Sequence, residues 1–139
     1  PAPLFCATYA LIFFLFSKSL EGSRTMKPQS AKQKGRILQK WFRNILIDIL
    51  DLNPEDLESR PMGSQGEDII IGSESRARFP YATECKNQEA VNVWKSFIQA
   101  QDNSGKYEPL LVIKRNRSLP LVVVDAKHFV ELVRRANEQ

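Results

Sequence analysis

Between Ile37 and Leu50 apolar residues recur at helical spacing: Ile37, Leu38, Trp41, Phe42, Ile45, Leu46, Ile49 and Leu50. One apolar face kept over more than three turns predicts an amphipathic helix. Ser30 stands three residues before Gln33, a capping box in which each side chain satisfies a free backbone N–H at the helix start. Asn53-Pro54 stops the helix. The pattern then changes. Leu57 to Met62 is a short extended segment bounded by Pro61 and Gly63, and Asp68-Ile-Ile-Ile71 is a β-branched run that reads as a buried strand. Tyr81 to Lys86 reads as the next strand. Ala90, Trp94, Phe97 and Ile98 mark a second helix, closed by Asn103-Ser-Gly105. Leu110–Ile113 and Leu121–Val124 are strongly apolar strands joined by the polar loop Lys114-Arg-Asn-Arg-Ser118. Asp125 caps a last helix carrying Phe129, Leu132 and Val133. The predicted order is α-β-β-β-α-β-β-α, an α/β fold whose economical architecture is a central sheet with helices packed on it.

The first twenty-five residues break this pattern. Leu4 to Phe16, LFCATYALIFFLF, is a nearly unbroken apolar run, shorter than the roughly 18 residues a spanning helix needs. No positive charge precedes it and no small-x-small cleavage site follows, so it is a poor signal peptide. Met26 opens the hydrophilic stretch that leads into the first helix. Residues 1–25 are therefore expected to be an upstream in-frame extension, with 26–139 as the domain. A membrane anchor and an extra core helix are the competing readings, and a membrane role is not expected.

Composition narrows the chemistry. Hydrophobic residues are 42% and charged residues 26% of the 139, the balance of an ordinary folded domain. The net charge of +4 permits an anionic partner without requiring one. With one histidine, His128, every two-histidine metal site is excluded. Two cysteines, Cys6 and Cys85, cannot build a disulfide framework, and the chain reads as intracellular, in a reducing cytoplasm.

The candidate chemistry lies at Asp68, Glu84 and Lys86. Asp68 heads an apolar strand, where a carboxylate has no packing reason to be. Glu84 and Lys86 are two apart on the next strand, so both face one way while Cys85 faces the other. Two carboxylates and an ammonium would then meet near one sheet edge. Hard cations such as Mg²⁺ take oxygen ligands, typically one or two carboxylates with water and phosphate oxygens. Such a metal polarises a phosphorus centre and acidifies water, and a lysine beside it orients the water or neutralises developing charge. The arrangement suits phosphodiester hydrolysis. From spacing alone, a cross-strand salt bridge on a solvated face accounts for D…ExK as well.

Gly66-Glu-Asp68-Ile-Ile-Ile71, Phe79-Pro-Tyr-Ala-Thr-Glu84-Cys-Lys86-Asn-Gln-Glu89, Trp94 and Pro109-Leu-Leu-Val-Ile-Lys-Arg-Asn-Arg-Ser118 together resemble the PD-(D/E)XK nuclease superfamily. More narrowly they are similar to small phage-type nucleases related to archaeal Holliday junction resolvases. Ser30-Ala-Lys-Gln-Lys-Gly-Arg36 resembles the start of those proteins, so the likeness spans residues 26–139. It implies a restriction-endonuclease-like core, a central mixed sheet flanked by helices. It implies that Asp68 and Glu84 bind Mg²⁺ (Mn²⁺ as substitute), with the Cys85 backbone carbonyl as third ligand, and that Lys86 assists the water. Resolvase relatives place an acidic residue on the first helix; the matching position here is Gln39, a neutral amide. Glu67 is expected to point away from the site, because strand neighbours face opposite ways.

Lys27, Lys32, Lys34, Arg36, Lys40 and Arg43 occur with no acidic residue among them, and Lys114, Arg115 and Arg117 form a second basic cluster. Such patches give salt-dependent affinity for phosphates without sequence selectivity. A solvated helix face and a soluble turn are the alternatives. The resemblance also implies that Gln99, on a helix face with Asn92 and Lys95, positions substrate, a surface polar stripe being the alternative; Ser59, Arg60 and Ser64 ahead of the metal strand are further candidates for touching it. Trp41 and Trp94 are assigned to the core, His128 to the surface or a cap, and Cys85 to the core rather than to nucleophilic chemistry.

These readings converge on a metal-dependent DNA endonuclease that recognises DNA structure, with DNA, including branched DNA, as partner and no small-molecule cofactor. Symmetric paired cuts favour a two-fold homodimer. The rivals are a nuclease acting on single strands or ends, a DNA-binding module with a decayed site, and a membrane-attached protein using residues 4–16.

Overall fold

The first helix, α1 (Ala31–Leu50), starts where Ser30 Oγ accepts from the Gln33 amide at 3.2 Å and ends at Asp51 in the left-handed conformation. In the computed structural model, which describes residues 30–139, it buries Leu38, Phe42 and Leu46, with Gly35 and Gln39 on the same stripe. Ile37 and Ile49, predicted on the apolar face, remain half exposed. The apolar extension and its predicted boundary at Met26 lie outside the described residues.

A 3₁₀ turn (Pro54–Asp56) leads into β1 (Leu57–Ser59), which pairs antiparallel with β2 (Ile69–Ile71). A short helix, α2 (Ser73–Arg78), comes next and is absent from the predicted order. Its start is held from a distance: the Asp56 carboxylate accepts from the Ser75 amide at 2.8 Å, and a Cβ on Gly72 would stand 1.7 Å from Asp56 Oδ1. Strand β3 (Tyr81–Asn87) then pairs parallel with β4 (Glu108–Lys114), across the helix α3 (Val93–Ser104). Strand β5 (Leu121–Val123) adds antiparallel to β4, and α4 (Ala126–Asn137), capped by Asp125, closes the chain.

The architecture is α/β with helices flanking the strands, as expected. The strands form two ladders rather than one: antiparallel β1-β2, and mixed β3-β4-β5. The Asp68 amide, donating to the Thr83 carbonyl at 2.8 Å, links them just before β2 begins. One face of the mixed ladder presents Cys85, Leu110 and Val112 to a core shared with Leu38, Phe42 and Leu46 of α1. Because paired residues of adjacent strands share a face, Ala82, Glu84 and Leu111 lie on the other face. There α3 packs against β3 and β4 through Ser96, Ala100 and Ser104.

That packing corrects the reading of Trp94. The buried stripe of α3 is made of small side chains, which let the helix approach the sheet closely, and Trp94 is turned away and 82% exposed. Ile98 is also more than half exposed. Trp41 packs against the core as expected. His128 takes part in the cap of α4, its amide donating to Asp125 Oδ1, and its half-buried ring lies with Nε2 2.6 Å from the Tyr81 hydroxyl and Nδ1 3.9 Å from Glu108, which pins α4 to the start of β3. Among the described residues no helix is long and apolar enough to cross a membrane.

Candidate functional site

The link between the two ladders sets Asp68 beside β3. Its Oδ2 accepts the Cys85 amide at 2.7 Å, while its own amide is held by Thr83. Asp68 is thus tied to β3 on both sides of Glu84, by its amide and by its carboxylate. Glu84, only 3% exposed, pairs with Lys86 Nζ at 3.0 Å, along the strand face that both share. The three residues singled out from the sequence are therefore neighbours in space.

Burial, reinforced by the nearby Glu84 carboxylate, raises the Asp68 pKa to about 6. The Cys85 amide, the Lys86 ammonium and the Gln39 amide work in the opposite direction without cancelling it. Two neighbouring carboxylates with one ammonium, paired to Glu84, leave negative charge that a cation would neutralise. The donor set is all oxygen, which fits Mg²⁺ or Mn²⁺ and does not fit a soft metal. Asp68 and Glu84 are the side chains that would hold such an ion. No group of three or more His, Cys, Asp or Glu side chains occurs among the described residues, so water or substrate oxygens would complete the shell. Cys85 lies in the core with its thiol pushed well up by burial, which disfavours the thiolate form.

Gln39 belongs to this site although it was read from the sequence only as a departure from an acidic pattern. It is 2% exposed, its Oε1 accepts from Ser59 Oγ at 2.7 Å, and its amide favours the charged form of Asp68. The available signal was a polar residue inside the buried stripe of α1. Glu67 points elsewhere: its carboxylate pairs with Arg76, whose guanidinium also donates to the Tyr81 carbonyl and stacks 4.2 Å from the Tyr107 ring centre.

The start of α1 and the basic β4–β5 turn meet through Lys34, while Arg43 of the first cluster is turned to the Leu57 and Pro54 carbonyls. Lys34 Nζ donates to Asn116 Oδ1 at 3.0 Å, across 82 residues of sequence. Asn87 Nδ2 donates to the Lys34 carbonyl at 3.0 Å, and the Gln88 amide to the Lys114 carbonyl at 2.9 Å. The start of α1, the end of β3 and the β4–β5 turn are thereby knitted together one residue beyond Lys86. Burial, reinforced by Lys34 and partly offset by Glu89, holds the Lys114 ammonium below its usual range. Arg115 and Arg117 are exposed in the turn, and Arg36 is exposed on α1.

The remaining candidates are less central. Arg60 turns inward: its Nε donates to the Glu67 carbonyl and its guanidinium lies against Gly66, so it braces the turn that precedes Asp68. Ser64 is exposed in that turn, and Gln99 is exposed on α3. No family model matches the chain, and comparison with curated proteins and with solved structures finds no match.

Proposed function

We propose that this chain is a Mg²⁺-dependent DNA endonuclease of the PD-(D/E)XK kind, selective for branched DNA in the manner of Holliday junction resolvases. The observation that carries the reading is the half-buried Asp68 beside the buried Glu84, with Lys86 at 3.0 Å from Glu84 and the Lys34–Asn116 contact of the basic turn close by. A solvated salt bridge needs neither the burial of Glu84 nor an Asp68 fixed between two backbone groups.

In this reading the rim of Lys34, Arg36, Lys114, Arg115 and Arg117 binds the DNA backbone and delivers one phosphate to the end of β3. The metal, when bound to Asp68 and Glu84, supplies positive charge at that phosphate and a more acidic water. Lys86, tethered to Glu84, orients the attacking water or stabilises the charge that develops on the phosphate oxygens. Gln39 and the Cys85 amide hold Asp68 in place. The Cys85 carbonyl is the third protein oxygen assigned to the ion. Paired cuts at a branch call for a two-fold dimer. The exposed apolar residues Val122 on strand β5, and Phe129, Val130 and Val133 on α4, would provide a surface for it.

The test is incubation of the full chain with a four-way junction, a flap, a single strand and a linear duplex, in Mg²⁺ and in chelator. The proposal predicts Mg²⁺-dependent cleavage of the junction ahead of the duplex, and a dimer by light scattering. Cleavage confined to single strands by a monomer would support the end-directed alternative. Gln39, in place of a further carboxylate, favours a second reading in which the chain binds DNA without cutting it. Tight junction binding with no cleavage in either Mg²⁺ or Mn²⁺ would establish that one.

A further inference from the structure

Next to the proposed catalytic groups is a cleft of about 470 Å³ that no step above uses. Its walls are Val91, Val93, Ile113, Leu119 and Leu121, and its rim carries Gln88, Glu89, Lys114 and Arg115. The register of the sheet fixes its relation to the site. Lys86 is paired with Ile113 on β4, and Ile113 is paired with Leu121 on β5. Paired residues lie on the same face, so the sheet face that carries Glu84 and Lys86 continues directly into the cleft wall. Adjacent strands are about 4.8 Å apart, which puts Ile113 about 5 Å and Leu121 about 10 Å from the Lys86 backbone.

We infer that this cleft receives one unpaired nucleobase, from the nucleotide flanking the phosphate held at Lys86. The inference rests on the nuclease reading above and adds the basis of its substrate choice. The volume lies within the roughly 300–1,000 Å³ of small-molecule pockets. The division of the lining matches a nucleotide: apolar walls for the flat faces of a base, and Lys114 and Arg115 at the mouth for its phosphate. The Asn116 amide donates to Glu89 Oε1 at 2.8 Å, which ties the β4–β5 turn to the segment after β3 and fixes the two sides of the mouth. Leu119 and Leu121 are about half exposed, so the wall is open to an incoming base. A base inside a duplex has both faces stacked, and removing it costs a few kcal/mol, least where it is already unpaired. The cleft therefore rewards flaps and single strands over intact duplex at the same backbone affinity, and a junction only where a base at its branch point comes unstacked.

The experiment is an abasic scan. A fluorescently labelled flap substrate is first cut by the full chain in Mg²⁺ to map the scissile bond. Single abasic sites are then placed at each of the three nucleotides on either side. The expected result is a loss of about tenfold in kcat/KM at one flanking position and little change at the others. In the Leu121→Asn variant, or in Leu119→Asn should the first not fold, the natural and abasic substrates are expected to be cut at equal rates. Cleavage by the wild-type chain that ignores every abasic position overturns the base pocket and leaves the nuclease reading standing. An abasic effect that persists undiminished in a folded variant also overturns it. No cleavage of any DNA in Mg²⁺ or Mn²⁺ overturns the nuclease reading and the pocket with it.

Discussion

Replacing Asp68 by asparagine is expected to stabilise the metal-free protein at pH 8 while ending cleavage. Asp68 sits between the Thr83 carbonyl and the Cys85 amide, beside Glu84, and has a pKa of about 6 against an ordinary 3.8. A carboxyl raised in this way binds its proton more tightly in the folded state than in the unfolded one. It costs nothing below pH 4, opposes folding progressively between pH 4 and 6, and exerts its full penalty above pH 6. A rise from 3.8 to about 6 corresponds to about 3 kcal/mol. Asparagine keeps an oxygen for the Cys85 amide and removes the charge. It also brings an amide close to that of Gln39, so a net gain of about 1–2 kcal/mol is expected. For a domain of this size that is a rise in Tm of about 4–10 °C. The assay is thermal unfolding of both proteins in chelator at pH 8 and pH 4, followed by Mg²⁺-dependent cleavage. The variant should melt higher at pH 8, show little advantage at pH 4, and cut nothing. A variant that is less stable at pH 8, or equally favoured at both pH values, would refute the charge argument. One that still cuts would remove Asp68 from the site.

Lys86→Ala is expected to lower kcat about 10²-fold or more while junction binding in chelator stays within a factor of three, measured by anisotropy. Lys114→Ala and Arg115→Ala should each reduce the slope of log K against log salt by about 0.9 if each neutralises one phosphate, read from anisotropy titrations across salt. Gly72→Ala should destabilise by about 1–2 kcal/mol in urea unfolding, because the new Cβ displaces the Asp56 carboxylate from the start of α2. Tyr81→Phe should cost about 1 kcal/mol in the same assay by removing the hydroxyl that meets His128.

The parts of the fold legible in the sequence are those set by local period and capping. Helix α1 declared itself through its apolar spacing and Ser30, and β4 through its strongly apolar run Leu110–Ile113. Helix α2 escaped because its six residues carry no apolar period and its cap, Asp56, arrives from seventeen residues upstream. Trp94 misled for a related reason. The periodicity of large apolar residues marks a buried face only where there is room for them, and α3 lies close to the sheet on serine and alanine. Asp68, Glu84 and Lys86 could be found because strand alternation and proximity in sequence already imply their meeting. The role of Gln39, the inward turn of Arg60 and the meeting of Lys34 with Asn116 are tertiary facts, decided by contacts that no local pattern encodes.

The central claim is that Asp68 and Glu84 share one divalent cation. Crystals of the chain soaked in Mn²⁺, with anomalous data collected at the manganese edge, test it most directly. The account predicts a strong peak between the Asp68 and Glu84 carboxylates in the wild-type protein and its disappearance in Asp68→Asn. A featureless anomalous map at those carboxylates, or a peak unchanged by the substitution, would contradict it.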